Sequence, residues 1–116
     1  MKYSGTWHIY EMEAWDEDYF NMEVEAYITI NSRGSGDLQF GLVSGELNGA
    51  IERIGAEECF HFTWDGTDDY DPISGAGWFT LTDADHIQGR IVFHMGDRSD
   101  FLAKRATRSC NTRGEP

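Results

Sequence analysis

Apolar and polar side chains alternate along most of this chain. The alternation falls into eight segments, at about residues 3–12, 21–31, 36–43, 46–54, 58–65, 75–82, 86–95 and 98–106. A period of two over four or more residues is the pattern of a strand with one buried face. The second segment sets Met22, Val24, Ala26, Ile28 and Ile30 against Glu23, Glu25, Tyr27 and Thr29. The third offers Leu38, Phe40 and Leu42 to the inside, and the fifth sets Phe60, Phe62 and Trp64 against Cys59, His61 and Thr63. The seventh sets Ile87, Ile91 and Phe93 against His86, Gln88, Arg90 and His94. Turn-forming residues separate the segments at Asn31–Gly36, Ser44–Gly45, Gly55–Ala56, Gly66–Gly75, Asp83–Asp85 and Gly96–Asp97. No convincing helical period interrupts them. Short strands at this spacing predict an all-β sandwich or barrel rather than βαβ units. Sequential strands with short connections favour an antiparallel up-and-down barrel of about eight strands, closed between the first and the last.

The inside of such a barrel is rich in rings. Inward parity collects Trp7, Phe40, Phe60, Phe62, Trp64, Phe79, Phe93 and Phe101. It also collects Gly49, Gly77 and Gly89, the first and last of which sit in a shared apolar-x-Gly-x-Ile pattern, Leu47–Ile51 and Ile87–Ile91. An inward glycine lets a strand kink or lets a neighbouring side chain take the space. An eight-stranded barrel is wide enough either to be filled by side chains or to hold one small ligand. The rings favour filling and the glycines leave room, so both outcomes stay open.

The two ends of the chain bear on closure. In the last segment Phe101, Ala103 and Arg105 share one face, while Asp100, Leu102 and Lys104 share the other. An arginine in register with buried residues needs compensation, and stacking on the ring of Trp7 would supply it. Gly5-Thr6-Trp7 at the start and Arg105 at the finish resemble the ends of the calycins: lipocalins, fatty-acid-binding proteins and avidins. In those barrels the tryptophan plugs one end and the terminal basic residue packs over its ring. The resemblance covers residues 5–105 as a pattern. It lacks the lipocalin C-terminal helix and disulfide and the helical lid of fatty-acid-binding proteins. The chain is also similar to short bacterial barrel proteins with no assigned activity. What the resemblance implies is a calycin-like, lipocalin-like barrel that binds a small apolar ligand, with no reaction attached. The implied ligand-binding residues are Trp7, Phe40, Phe62, Trp64, Phe93 and Arg105 inside, with Trp15 and Tyr19 at the mouth.

Length and charge narrow the setting. A chain of 116 residues makes one domain, large enough to bury roughly two-thirds of its unfolded surface. The barrel should occupy residues 1–106, and the polar tail 107–116 is expected to be disordered. The net charge is −12, and residues 11–25 carry seven acids and no base. That field repels phosphate backbones and anionic membranes, so neither nucleic acid nor membrane is an expected partner. The longest apolar runs are too short for a membrane helix. Met1–Tyr10 has no apolar core of a signal peptide, which predicts a cytoplasmic protein. Cys59 and Cys110 have no C-x-x-C partner, and a disulfide is not expected in a reducing compartment.

Candidate chemistry is thin. Asp65, Thr67, Asp69 and Asp71 alternate somewhat as calcium ligands do, but Tyr70 and Ala76 stand where that loop needs glycine and glutamate. The metal expectation is therefore none, with Asp65, Asp69 and Asp71 as a weak candidate and a solvated acidic turn as the favoured reading. No cofactor is expected. The nucleophile elbow, phosphate loop and dinucleotide fingerprint are all missing, and His8, His61, His86 and His94 are not spaced as a helical pair. An enzyme is not expected. Residues 11–20 mix acids with Trp15, Tyr19 and Phe20, suited to plugging the barrel mouth, gating a pocket or meeting a basic partner. Tyr10, Trp78, Val92 and Leu102 all point outward on strands that become neighbours once the barrel closes. They make a candidate homodimer interface. Two function classes follow: a barrel binding a small apolar ligand, or a homodimeric interaction module with a filled core.

Overall fold

A computed structural model describes residues 1–106; the tail 107–116, with Cys110, lies outside the described residues. The elements are β1 (Gly5–Met12), α1 (Glu17–Phe20), β2 (Tyr27–Ile30), β3 (Ser35–Phe40), β4 (Val43–Ile54), β5 (Glu57–Asp68), β6 (Asp71–Asp83), β7 (His86–Phe93) and β8 (Arg98–Arg105). The strands form a closed barrel in sequence order, each antiparallel to the next. Closure runs through β1 and β8, from Trp7 opposite Arg105 to Met12 opposite Phe101. The all-β, up-and-down expectation thus holds. Closure also removes the exposed ladder edges that an open sheet would present. Among the described residues no helix is long and apolar enough to cross a membrane.

Alternation located the inward faces correctly where strands are long. Leu38, Phe40, Phe60, Phe62, Trp64, Ile87, Ile91, Phe101 and Ala103 are all buried. The inward glycines are filled by rings from the next strand. Phe62 stands opposite both Gly49 and Gly77, and Phe79 opposite Gly89. A Cβ at Gly77 would lie 2.5 Å from the Phe62 Cζ, and one at Gly49 would lie 2.9 Å from the Phe60 Cε2. These glycines exist to admit large neighbours, so the glycine and the ring act as one packing unit. Tyr3, which precedes β1, folds inward too: its ring lies 5.8 Å from Phe60 and 5.6 Å from Phe79.

Four local expectations need correction. Residues 21–26 are not strand. The chain makes one helical turn, α1, capped by Asp16, whose carboxylate accepts from the Tyr19 backbone N–H. The Asn21 side chain then accepts from the Ala26 N–H, so residues 21–25 cross the mouth and pairing with β1 begins only where the Ile9 N–H donates to the Ala26 carbonyl at 3.0 Å. Met22 and Val24, placed inside by their parity, are 52% and 42% exposed. The turn after β3 is at Gly41–Leu42, where Gly41 has φ +59°, and not at Ser44–Gly45. Leu42 is accordingly outside, and Val43 takes the inward place. Gly66 is likewise mid-strand, paired with Gly45. The stretch 66–75 expected as a loop is a continuous hairpin whose turn is only Asp69–Tyr70. Both have positive φ, at 51° and 76°, as a primed two-residue hairpin requires. Composition hid this turn because it lacks the usual glycine.

Candidate functional site

The closed end of the barrel is built round Trp7 and Arg105. The Arg105 guanidinium lies 4.2 Å from the Trp7 ring centroid, the expected stack. Its nitrogens donate to the Ser4 carbonyl at 2.8 Å, to the Ala84 carbonyl at 3.2 Å and to the Lys2 carbonyl at 3.3 Å. The Trp7 indole donates to the Tyr3 carbonyl at 2.9 Å. The Trp7 indole N–H and the inward guanidinium N–H groups thereby have acceptors, which offsets the cost of burying them; among the described residues the buried Trp64 Nε1 has no such partner. Beside this cap Glu58 receives Lys2, Arg53 and the Tyr3 hydroxyl. The Lys2 contact, helped by Arg53, holds the Glu58 carboxyl below the usual range. Tyr3 is pushed up by burial and by the Glu58 charge. Sequence reasoning missed Tyr3 and Glu58; the spacing of Tyr3 four residues before Trp7 was the available signal.

The opposite end, the mouth, is closed by the segment between β1 and β2. Trp15 stacks on Tyr19 at 6.0 Å and leans on Phe40 at 5.4 Å and Phe93 at 5.7 Å. Phe20 is buried beneath them. The plug is tied by the Gly41 N–H donating to the Phe20 carbonyl at 2.9 Å and the Ala14 N–H donating to the Ser99 hydroxyl at 3.0 Å. The interior and mouth residues singled out for a ligand therefore form two connected layers. Phe62 belongs to the lower ring cluster, whereas Trp15, Tyr19, Phe40, Trp64 and Phe93 form the upper one. A cleft of about 360 Å³ remains between the plug and the hairpin ends, with Trp15, Tyr19, Val43, Ile73, Phe93, Asp68 and Asp97 in its lining.

The outer face of β6, β7, β8 and β1 carries the proposed interface residues. Trp78 and Leu102 line one groove of about 500 Å³, together with Glu11, Glu13, Gln88, Arg90 and Asp100. Arg90 donates to Asp100 at 2.7 Å across the β7–β8 ladder, which raises its already high pKa further. Val92 stands two positions nearer the mouth, opposite Ala76 and Arg98. Tyr10 occupies a bulge in β1 and turns its ring edge to His86 at 6.5 Å. The expected stripe of four is thus one groove with two flanking residues.

The weak calcium candidate is drawn out along the β5–β6 hairpin. Asp65 pairs with Glu46 and Ser74, Asp69 sits at the turn, and Asp71 faces Asp68. Among the described residues no three His, Cys, Asp or Glu side chains gather as metal ligands. The four histidines lie apart at the surface, with His86 held 2.9 Å from Asp83. The Asp85 backbone N–H and His86 keep the Asp83 carboxyl below its ordinary value. Comparison of this chain with known protein families, with curated proteins and with solved structures finds no match in any of the three.

Proposed function

We propose that this chain is a non-enzymatic interaction module: a filled, calycin-like barrel that pairs with a second copy through the outer face of β6, β7, β8 and β1. The observation that carries the reading is the groove holding Trp78 and Leu102 on the outside of a closed barrel. A barrel face has no second sheet to cover it, so the half-buried Trp78 and Leu102 keep part of their apolar surface open to a partner. A two-fold interface must be self-complementary, and this groove carries both signs, Arg90 beside Glu11, Glu13 and Asp100. Tryptophan and arginine are the residue types that anchor such contacts. Binding of a small apolar ligand inside is the less favoured reading, because the rings of Phe60, Phe62 and Phe79 lie 5.1–6.2 Å from one another over the inward glycines. Kinship with the calycins is supported by the Trp7–Arg105 stack alone.

Sedimentation of the purified protein over a micromolar concentration series tests the pairing. Two bodies of charge −12 repel, so added salt should strengthen the dimer by screening. Trp78→Ala should give monomer with an unchanged β spectrum, a loss on the order of 2 kcal/mol or more at an anchor. A wild-type protein that stays monomeric throughout, at low and high salt, rejects the proposal.

A further inference from the structure

The mouth end presents a second surface, unrelated to the β6–β1 face. Its most telling residues are Tyr70 and Met95, at the tips of the β5–β6 and β7–β8 hairpins. They are 92% and 94% exposed, and both hold positive φ, at 76° and 57°. That conformation favours glycine or asparagine and disfavours bulky side chains. Neither burial nor backbone preference explains a tyrosine and a methionine there. Residues that break a local rule without a structural return mark function.

Leu42, in the β3–β4 turn, and Met22 and Val24, on the crossing segment, are also exposed at this end. The Leu42 carbonyl accepts from the Asp69 N–H beside Tyr70, and the cleft with its Trp15, Tyr19, Ile73 and Phe93 wall lies between plug and hairpins. At about 360 Å³ this cleft is at the lower end of the roughly 300–1,000 Å³ of ligand sites, a size suited to side-chain anchors. The charge at this end is one-sided. The crossing segment carries Asp16, Glu17, Asp18, Glu23 and Glu25, and the hairpin tips add Asp68, Asp69, Asp71 and Asp97. Segments 13–26, 41–42, 68–71 and 94–98 contain a single Lys or Arg, Arg98 at the head of β8.

We infer that the mouth end docks a basic polypeptide segment with apolar anchors, whose side chains enter the cleft and lie against Tyr70 and Met95 while its cations face the surrounding carboxylates. Apolar contact would supply the affinity and the carboxylates the steering and choice of partner. A second copy of this chain is the wrong occupant for this end, because it would bring two acidic rims together. A cation with no apolar part leaves the exposed side chains uncovered.

Three synthetic peptides of equal length test the inference: Lys/Leu with leucines at helical spacing, Lys/Ser, and Glu/Leu. Amide shifts and calorimetry report binding. The Lys/Leu peptide should shift residues 15–22, 69–73 and 94–97 and lose affinity as salt rises. Lys/Ser should bind about tenfold more weakly or worse, as for losing at least one buried apolar side chain, and Glu/Leu should not bind. Tyr70→Asn/Met95→Asn supplies a residue that tolerates the left-handed region, so the barrel should stay folded while Lys/Leu affinity falls about tenfold. Equal binding of Lys/Ser and Lys/Leu, no binding by either, or shifts confined to the β6–β1 face would overturn the inference. So would movement of the same mouth amides on diluting the protein alone, which assigns this end to a second copy. None of these outcomes bears on the Trp78 dimer, which is read separately by sedimentation.

Discussion

At one end of the barrel Arg105 uses its ring stack and several backbone carbonyls to seal Trp7, and Glu58 gathers Lys2, Arg53 and Tyr3 beside it. At the other, Trp15 and Tyr19 lie over Phe40 and Phe93 on a segment that belongs to no ladder, and the hairpin tips expose Tyr70 and Met95. The closed end is assembled by the ladder itself, because Trp7 and Arg105 are direct β1–β8 partners. The mouth is a separate layer laid on a finished barrel and held mainly by a few hydrogen bonds and ring contacts. Stability should therefore concentrate at the Trp7 end, and freedom to meet another molecule at the Trp15 end.

The largest effects separate the two tryptophans. Trp7→Ala deletes a wholly buried ring and should cost about 3–5 kcal/mol. Trp15 is only partly buried, so Trp15→Ala should cost about 1–2 kcal/mol, measured by urea unfolding. Equal losses would mean that the plug is as integral to the barrel as the closing strands are. Next comes Arg105→Ala, expected to lose about 1–3 kcal/mol through stacking, packing and hydrogen bonds. Lys104→Ala, on the outward parity of the same strand, should change stability by no more than about 0.5 kcal/mol. A similar loss for both would show that the stack contributes nothing beyond the ladder.

The Trp7–Arg105 contact was legible because it depends on parity at two strands that alternation marks clearly. The buried rows of β5, β7 and β8 were legible for the same reason. Residues 21–26 were not, since an extended segment crossing a mouth alternates as a strand does. The bonds that Asp16 and Asn21 accept from the Tyr19 and Ala26 N–H groups, which shape this segment, are local side-chain events that alternation does not show. The Gly45–Gly66 pair read as two turns, because glycine in a composition scan cannot show which neighbour approaches it. Trp15 and Tyr19 were expected at the mouth and Phe93 inside; all three line the cleft there, and the rest of that cleft was invisible. Asp68, Ile73 and Asp97 reach it from the ends of other hairpins, and only the register of β5 with β6 and of β7 with β8 brings them there.

A smaller effect tests the electrostatics of the closed end. The Glu58 carboxyl titrates below its ordinary value because Lys2 and Arg53 hold its charged form. A depressed carboxylate binds fewer protons folded than unfolded, so it contributes stability above the ordinary glutamate pKa, ~4.3. That contribution is lost as pH falls through the lower folded value. Glu58→Gln should therefore have a lower urea midpoint than wild type at neutral pH. The gap should hold down to the ordinary glutamate range and close below it. A gap independent of pH would assign the loss to packing instead of charge.

The smallest expected effect is the most local. Asp16 caps α1 through the Tyr19 N–H at 3.1 Å, and replacing such a cap by alanine typically costs about 0.5–2 kcal/mol. In a helix of four residues that cost should fall on the plug and not on the ladder. Asp16→Ala should then leave the global urea midpoint nearly unchanged while loosening the mouth. The amide to watch is Gly41, whose N–H donates to the Phe20 carbonyl. Its hydrogen exchange should quicken in Asp16→Ala, whereas the Trp7 indole N–H, bonded to the Tyr3 carbonyl, should exchange as in wild type. If both quicken together, plug and barrel open as one unit and the distinction between the two ends fails. If only Gly41 responds, the mouth is an independently mobile layer, as a surface that must admit a basic segment requires.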